Sequence, residues 1–166
     1  ITRSVMIKNA GTETITVKKA LSACLDFVQG DYDAISFYGR HAMERNPERV
    51  QVGHGTYRIG SRRGTSSHQY NPFVMLADKN ATETSGECYG FSLLYSGNFL
   101  AAAEKDQFDQ TRLIMGIHPE NFEFLLKEGE KITCHLRIEK NLTAPVKKGQ
   151  KIGQVTFSLG ELVLDN

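Results

Sequence analysis

Short stretches of alternating apolar and polar residues recur along the chain about every ten residues. Alternation of this kind predicts β-strands with one face toward a core, and polar or glycine-containing turns separate the stretches. The clearest predicted strands are Ala34–Tyr38, Pro72–Ala77, Phe99–Ala103, Thr111–Ile117 and Lys131–Glu139, of which Pro72–Ala77 and Phe99–Ala103 are apolar throughout. About ten such strands without a long helical pattern predict an all-β fold, an antiparallel β-sandwich.

Two pairs of consecutive strands are separated by short turns and predict β-hairpins. Ser4–Lys8 and Thr14–Lys18 flank a turn that contains asparagine and glycine. Glu87–Ser96 and Phe99–Ala103 flank a glycine-asparagine turn. Because short turns join antiparallel neighbours, we expect each pair to lie side by side in one sheet.

Two segments are ambiguous between strand and helix. Ala20–Val28 places apolar residues on one face of a strand, the interpretation we favour, but its length and residue types also suit a helix. Pro119–Lys127 suits either a helical turn or a strand. Both alternatives stay open here, because periodicity does not separate helix from strand in runs this short.

A basic segment, Tyr38–Phe73, interrupts the strand pattern. It carries six arginines and two glutamates, a net charge of +4, whereas the whole chain carries +1. Its five glycines and two prolines break helical and strand periods. We therefore predict a long loop, broken by one short strand near Thr56–Ile59. Loops of such length inside a domain are often functional.

Residues of this basic segment are candidates for contact with a ligand, another domain or another subunit. Arg62 and Arg63 lie between glycines, and an arginine fork binds carboxylates or stacks on aromatic rings. The alternative is that both arginines pair with Glu44 and Glu48 and hold the loop in shape. The complete candidate set is Arg40, Arg45, Arg62, Arg63 and His68.

No residue pattern predicts a catalytic site, a metal site or a cofactor. A glycosidase needs two carboxylates across one bond, whereas the acid pairs of this chain are paired only in sequence and lie in polar turns or loops. They are Asp31 with Asp33, Glu44 with Glu48, and Asp106 with Asp109. The serines beside His68 lack an evident positioned acid. The spacing of the histidines in the basic segment matches no metal-ligand motif.

Composition narrows the class of protein. A chain of 166 residues with 40% hydrophobic and 23% charged residues is typical of one globular domain. The net charge of +1 indicates no general affinity for nucleic acid or an anionic membrane, and no apolar run is long enough to cross a bilayer. The chain begins at Ile1 without an initiator methionine, which predicts a fragment or an excised domain.

The three cysteines, Cys24, Cys88 and Cys134, are single and widely spaced within apolar runs. Disulfide frameworks and zinc sites show paired or closely spaced cysteines instead. We therefore expect buried thiols in a reducing compartment, which predicts a cytoplasmic protein.

Several ungapped motifs carry a resemblance to a known family. They are YGRHAMERNP, GSRRGTSSHQYNPF, GECYGFSLLYSGNF and TRLIMGIHPENFEFLLKEGE, with the opening ITRSVMIKNAG and ALSACLDF in the same order. Over residues 1–133 the chain resembles the N-terminal non-catalytic domain of family-36 glycoside hydrolases, the α-galactosidases that split α-linked galactose from raffinose-type oligosaccharides. The resemblance implies part of a β-sandwich that precedes a catalytic (β/α)-barrel, and it places both catalytic aspartates in that barrel.

The tail, residues 134–166, departs from this family. From about Ile132 the sequence, with its segment APVKKGQKIG, resembles the C-terminal β-domain of penicillin-binding D-alanyl-D-alanine carboxypeptidases. The serine and lysine motifs of those enzymes are absent from the chain. We expect the tail to be a short β-structure that packs on the same sandwich.

The predicted function is that of a non-catalytic accessory domain of an α-galactosidase-like glycoside hydrolase. Its expected partners are the catalytic barrel or a neighbouring subunit, and galactosides are further candidates. One alternative is a carbohydrate-binding module that uses tyrosines such as Tyr57, Tyr70, Tyr89 and Tyr95, although the chain has no tryptophan. The other is a structural β-module related to the carboxypeptidase domain.

Overall fold

The computed structural model describes the backbone at residues 1–28, 30–138, 153–159 and 162–165, and side chains at residues 1–28 and 30–132. Every regular element in these ranges is a β-strand, so the predicted all-β class is confirmed. The strands are β1 (Met6–Lys8), β2 (Ile15–Val17), β3 (Ala23–Phe27), β4 (Tyr32–Arg40), β5 (Met43–Gln51), β6 (Gly55–Gly60), β7 (Tyr70–Asp78), β8 (Cys88–Ser92), β9 (Phe99–Lys105), β10 (Thr111–Ile117), β11 (Phe124–Leu126), β12 (Lys131–Ile138), β13 (Gly153–Leu159) and β14 (Leu162–Asp165).

The chain forms two compact units. One contains Lys18–Phe122, and the other contains Ile1–Val17 with Glu123–Asn166. The predicted division at residues 133 and 134, with the tail packed on the same sandwich, stays a prediction. The APVKKGQKIG turn lies outside the described residues.

The larger unit is an antiparallel sandwich of two four-stranded sheets. One sheet has the order β5-β4-β7-β8 and the other β3-β10-β9-β6. A hydrogen bond links them, since the Ser36 hydroxyl on β4 lies 3.0 Å from the Tyr57 hydroxyl on β6. Alternate residues of both sheets point into one shared core: Tyr32, Ala34, Val52, Ile59, Val74, Leu76, Phe99, Ala101, Ala103, Leu113 and Met115. The predicted β-sandwich is therefore confirmed.

The smaller unit contains a sheet of order β1-β12-β13-β14 and the two-stranded sheet β11-β2. Between β1 and β2, buried Asn9 donates from Nδ2 to the carbonyls of Glu13 and Leu126, at 2.7 and 2.9 Å. Its Oδ1 accepts the Gly11 N–H at 3.0 Å. The predicted hairpin of Ser4–Lys8 with Thr14–Lys18 is therefore wrong, because the strands on either side of Asn9 enter different sheets.

The second predicted hairpin is also wrong. β8 pairs with β7, whereas β9 pairs with β6 and β10 in the other sheet. The residues between β8 and β9 cross from one sheet to the other, and Ser96 at this crossing accepts the backbone N–H of Ser66 at 2.6 Å. The glycine-asparagine sequence marks this crossover rather than a tight reversal.

The predicted long loop over Tyr38–Phe73 is mostly strand. It contains the end of β4, all of β5 and β6, and the start of β7. The residues that suggested a loop lie where a sheet accepts them, because Gly39 is at a register shift and Pro47 is on the edge strand β5. Only the connection between β6 and β7, residues 61–69, is a loop of some length.

Three further expectations are settled by the described residues. Ala20–Val28 contains the strand β3, as favoured, and Pro119–Lys127 contains the short strand β11. The prediction of buried thiols is wrong for Cys24 and Cys88, which are both exposed. Strand alternation explains this, because each cysteine lies on the outer face of its sheet. The part of the chain that the structure describes has no helix that could span a membrane.

Candidate interaction site

The predicted site residues lie at one end of the larger sandwich. The end of β4 lies beside the start of β7, since the Gly39 N–H donates to the Gln69 carbonyl at 3.3 Å. The connection from β6 to β7 spans the same end. This topology gathers the candidate residues Arg40, Arg45, Arg62, Arg63 and His68 there, and all five are exposed.

The arginine turn, residues 61–68, is held in place by hydrogen bonds. The Ser61 N–H donates to the Phe99 carbonyl at 3.0 Å, and its hydroxyl donates to the Thr65 carbonyl at 2.6 Å. The Gly64 N–H donates to Asn98 Oδ1 at 2.6 Å. Gly64 has a φ of +84°, which a residue without a Cβ adopts at little cost. The turn therefore presents its arginines from a fixed backbone.

Arg62 forms an ion pair with Glu120. Its Nη1 lies 2.5 Å from Glu120 Oε2, and the two side chains are 63% and 49% exposed. The alternative in which Arg62 pairs with Glu44 or Glu48 is therefore wrong, because its carboxylate partner is Glu120. Glu44 accepts the Ala42 N–H at 3.1 Å, and Glu48 accepts the Tyr57 hydroxyl at 3.3 Å.

Arg63 differs from its neighbour. Its backbone N–H lies 3.5 Å from the Ser61 hydroxyl, and its side chain is exposed at the turn. Its guanidinium forms no ion pair with the residues that the structure describes, so it can bind a carboxylate of another molecule or domain without first breaking such a pair.

His118 lies beside the arginine turn and was not found by sequence reasoning. Burial lowers the pKa of its imidazole, opposed by the Glu120 carboxylate and assisted by the guanidinium groups of Arg62 and Arg58. Its Nδ1 accepts the Glu120 N–H at 3.1 Å, so this nitrogen carries no proton. The sequence signal was the His-Pro-Glu run directly after the predicted strand Thr111–Ile117.

Arg40 and Arg45 lie on the β4–β5 hairpin. Arg40 donates from Nη2 to the Met43 sulfur at 3.2 Å. Arg45 has a φ of +60°, which is uncommon for a residue with a side chain. Asn46 holds the tip by donating from Nδ2 to the carbonyls of Met43 and Tyr38, at 2.9 and 3.3 Å. The hairpin thus carries two exposed arginines on a defined tip.

Arg49, which was not in the candidate set, is an internal brace. Its Nε donates to Asp33 Oδ2 at 2.6 Å, and Nη1 donates to the Ala81 carbonyl at 2.8 Å. Its Nη2 donates to the carbonyls of Asp78 and Lys79, at 3.0 and 2.9 Å. The guanidinium therefore ties β4 and β5 to the turn that follows β7.

The acids considered as catalytic pairs have structural partners. Asp31 accepts Lys105 Nζ at 2.6 Å, and this ammonium lowers the pKa of the carboxyl. Asp106 accepts the backbone N–H groups of Phe108 and Gln110, at 2.8 and 3.0 Å. Within the described residues, no three or more His, Cys, Asp or Glu side chains are grouped so that they could hold a metal ion.

The sequence matches two known domain families. Residues 1–127 match the glycosyl hydrolase family 36 N-terminal domain. This match covers well over half of the 166 residues. The chain belongs to the family 36 N-terminal domains. Residues 103–165 also match the penicillin-binding protein 5 C-terminal domain, in agreement with the resemblance of the tail.

Curated relatives agree with this family. The chain is 63% identical over 133 residues to the bifunctional alpha-galactosidase/sucrose kinase AgaSK of Mediterraneibacter gnavus, which covers 80% of this chain and 14% of that protein. It is 50% identical over 130 residues to alpha-galactosidase AgaA of Geobacillus stearothermophilus, covering 78% and 18%. The chain thus matches less than a fifth of the length of each relative.

Solved structures share its fold. The galactosidase domain of AgaSK superimposes with a TM-score of 0.76 at 62% identity, covering 78% of this chain and 18% of that one. The crystal structure of AgaA gives 0.75 at 48% identity, covering 77% and 18%. As an N-terminal domain of family 36 α-galactosidases, the chain fits a non-catalytic accessory role.

Proposed function

We propose that this domain supports an α-galactosidase-like glycoside hydrolase by packing on its catalytic barrel and assisting subunit assembly, while bond cleavage takes place in the barrel. The proposal rests on the family match and on the small share of the relatives that it covers. The relatives are α-galactosidases, and the matched part is 14% to 18% of each. The candidate acids Asp31, Asp33 and Asp106 are engaged in pairs or turns that maintain the fold.

The exposed arginines have a defined place in this proposal. Arg63 on the arginine turn, and Arg40 and Arg45 on the hairpin tip, contact carboxylates of the neighbouring domain or subunit. Support comes from the fixed backbone beneath them, since the turn and the hairpin tip are both hydrogen-bonded in place. His68 is exposed at the same end and joins this contact.

An activity assay tests the proposal. The purified chain is incubated with p-nitrophenyl α-galactoside, and we expect no release of nitrophenol above the buffer rate. Release that disappears in Asp31→Asn or Asp33→Asn would overturn the non-catalytic function, because it would make one of these carboxylates a catalytic group.

A sugar titration addresses galactoside binding. A structure of AgaA with raffinose shows that a relative binds this sugar. In the chain, Tyr57 and Tyr70 pack against the core, and Tyr89 lies against Phe27 with ring centroids 5.1 Å apart. We expect no saturable binding of galactose or raffinose by calorimetry. Saturation at millimolar sugar would indicate a carbohydrate-binding module instead.

A second candidate function rests on the match of residues 103–165 to the penicillin-binding protein 5 C-terminal domain. It is that of a structural β-module contributed by the tail. Removal of residues 134–166 tests it by urea unfolding. Cooperative unfolding of the shortened chain is expected for an appended tail, whereas loss of cooperativity shows that the tail supplies essential strands.

We place the protein in the cytoplasm. The support is chemical, because the exposed residues Cys24 and Cys88 are not joined in disulfides, a state typical of reducing compartments. Fractionation of the source cells tests this, and recovery with extracellular or membrane fractions would contradict it.

A further inference from the structure

The outer faces of the two sheets in the larger unit differ in chemistry. The outer face of β3-β10-β9-β6 carries charged side chains beside the apolar Ile114: Arg112 binds Asp26 through Nε at 2.6 Å and Nη2 at 3.0 Å, and exposed Arg58 lies on β6. A polar outer face is usual where an antiparallel sheet borders water. The outer face of β5-β4-β7-β8 does not follow this rule.

That second face carries an outer apolar patch formed by five side chains. Ile35 is paired in register with Met75, and Phe37 with Pro47. The rings of Phe37 and Phe73 lie 5.7 Å apart. None of the five is buried, and they alternate with core residues such as Ala34, Val74 and Leu76. The outer apolar patch is Ile35, Phe37, Pro47, Phe73 and Met75.

The outer apolar patch extends to Gly90, which has no side chain, and to the edge of β8, which is unpaired in the described part of the chain. A Cβ placed on Gly90 of β8 would lie 3.5 Å from the Phe73 ring, so the missing side chain leaves room above the aromatic ring. Within the described part of the chain, β8 pairs only with β7 and has a free edge. Its five residues include no proline and no charge, whereas the opposite edge strand β5 contains Pro47 and several charges. Free edges of soluble domains are normally protected as β5 is.

Charge helps to define what covers this face. Arg49 and Asp33 lie at one end of the patch and neutralise each other through the 2.6 Å contact. The remaining surface is uncharged, so it suits an apolar protein surface and not nucleic acid or a charged peptide. In the curated relatives, at least four-fifths of the polypeptide lies outside the matched part.

We propose that the outer apolar patch and the free edge of β8 form the docking surface for an apolar surface of the remaining α-galactosidase polypeptide. This inference rests on the proposed accessory function and assigns it to a particular face. The contact removes Phe37, Phe73 and Met75 from water, and residues of the partner fill the space over Gly90.

A chimera tests the docking surface. In AgaA, the segment that is 50% identical to this chain is replaced by the matching residues of this chain. Met75→Lys is compared with Ile114→Lys, because each replaces a partly exposed apolar residue on the outer face of a central strand. In the isolated 166-residue chain we expect similar small shifts of the melting temperature. In the chimera we expect Met75→Lys to accelerate thermal inactivation about tenfold more than Ile114→Lys.

Thiol reactivity gives a second readout that needs neither a substitution in the patch nor enzymatic activity. Cys88 lies on the outer face of β8, and Cys24 lies on the outer face of the other sheet. With Cys134→Ser in the isolated chain, we expect Cys88 to react with a thiol reagent at least about tenfold more slowly in the chimera than in the isolated chain. Cys24 should react at a similar rate in both.

Each result of the chimera and thiol experiments leads to a different conclusion. Equal Cys88 reactivity in both proteins, or equal effects of the two lysine substitutions in the chimera, would overturn the docking surface. A concentration-dependent dimer of the isolated chain that Met75→Lys dissociates would also overturn it, by assigning the patch to a second copy. A folded but inactive chimera with protected Cys88 would preserve the docking surface and contradict the accessory function.

Discussion

Arg49 and Arg62 belong to the same basic segment and have opposite surroundings. Arg49 donates to one carboxylate and three carbonyls of its own domain. Among the described residues Arg62 has a single side-chain acceptor, Glu120, and both partners are about half exposed or more. The sequence does not distinguish these two arginines, because what separates them is the number of acceptors that the fold brings within reach.

This difference indicates that Arg49 stabilises the fold, whereas Arg62 is available to bind another domain or subunit. A guanidinium whose three nitrogens all donate hydrogen bonds within the domain stabilises the fold and is unavailable to a partner. One with a single exposed ion pair contributes little to stability and can exchange its acceptor at low cost. The comparison therefore predicts that stability depends on Arg49 and that interactions with other domains or subunits depend on the arginine turn.

The largest expected effect is that of Arg49→Ala. It removes four donor contacts and leaves Asp33, whose side chain is 13% exposed, without its cation. We expect the free energy of unfolding to fall by about 2–4 kcal/mol, measured by urea denaturation. Arg49→Lys is the matched control and should recover part of the loss, because an ammonium can reach Asp33 but cannot span the carbonyls. An unchanged denaturation midpoint for Arg49→Ala would contradict the bracing role.

Gly60→Ala tests whether the arginine turn is held by its backbone. A Cβ at Gly60 would lie 2.5 Å from the Phe99 carbonyl oxygen, which is fixed in β9. We expect a loss of about 1–3 kcal/mol from this overlap. Gly64→Ala is the control: it meets no atom within 4 Å, so its cost comes only from the positive φ and should be about 1 kcal/mol. Equal effects of the two substitutions would show that Phe99 can move away.

The strands of the larger unit and the candidate interaction site show how far the sequence predicts the structure. Short apolar runs such as Pro72–Ala77 and Phe99–Ala103, and alternation such as that in Glu87–Ser96, predicted the strands of the sandwich, because a strand buries one or both of its faces. Strand pairing was not predictable, because turn sequences such as Asn9–Gly11 do not specify which sheet the next strand joins. The candidate site was predicted as four arginines and His68 in contact with a ligand, domain or subunit, and that contact stays a prediction.

The pH dependence of stability tests His118, which lies beside the turn. Burial lowers the pKa of the folded imidazole below its ordinary value of about 6.5. Above about pH 6.5 the imidazole is neutral in both the folded and the unfolded protein, so its titration does not change the free energy of unfolding. As the pH falls below about 6.5 the unfolded state binds the proton first, so stability decreases until the folded pKa is passed.

We therefore expect His118→Asn to flatten this part of the profile. The asparagine Oδ1 can still accept the Glu120 N–H and does not titrate. The change is measured as the difference between the urea midpoints at about pH 7.5 and about pH 5, which lie on either side of the ordinary histidine pKa. A His118→Asn profile that coincides with that of the unsubstituted chain would contradict the lowered pKa of the partly buried imidazole.

The smallest expected effect is that of Arg62→Ala on stability. Because the Arg62–Glu120 pair is exposed, its removal should cost less than about 1 kcal/mol, and 1 M salt should reduce even that difference. A double-mutant cycle with Glu120→Gln isolates the pair from the separate effects of each side chain. A coupling energy above about 2 kcal/mol would make Arg62 a brace like Arg49 and remove the distinction between the two arginines.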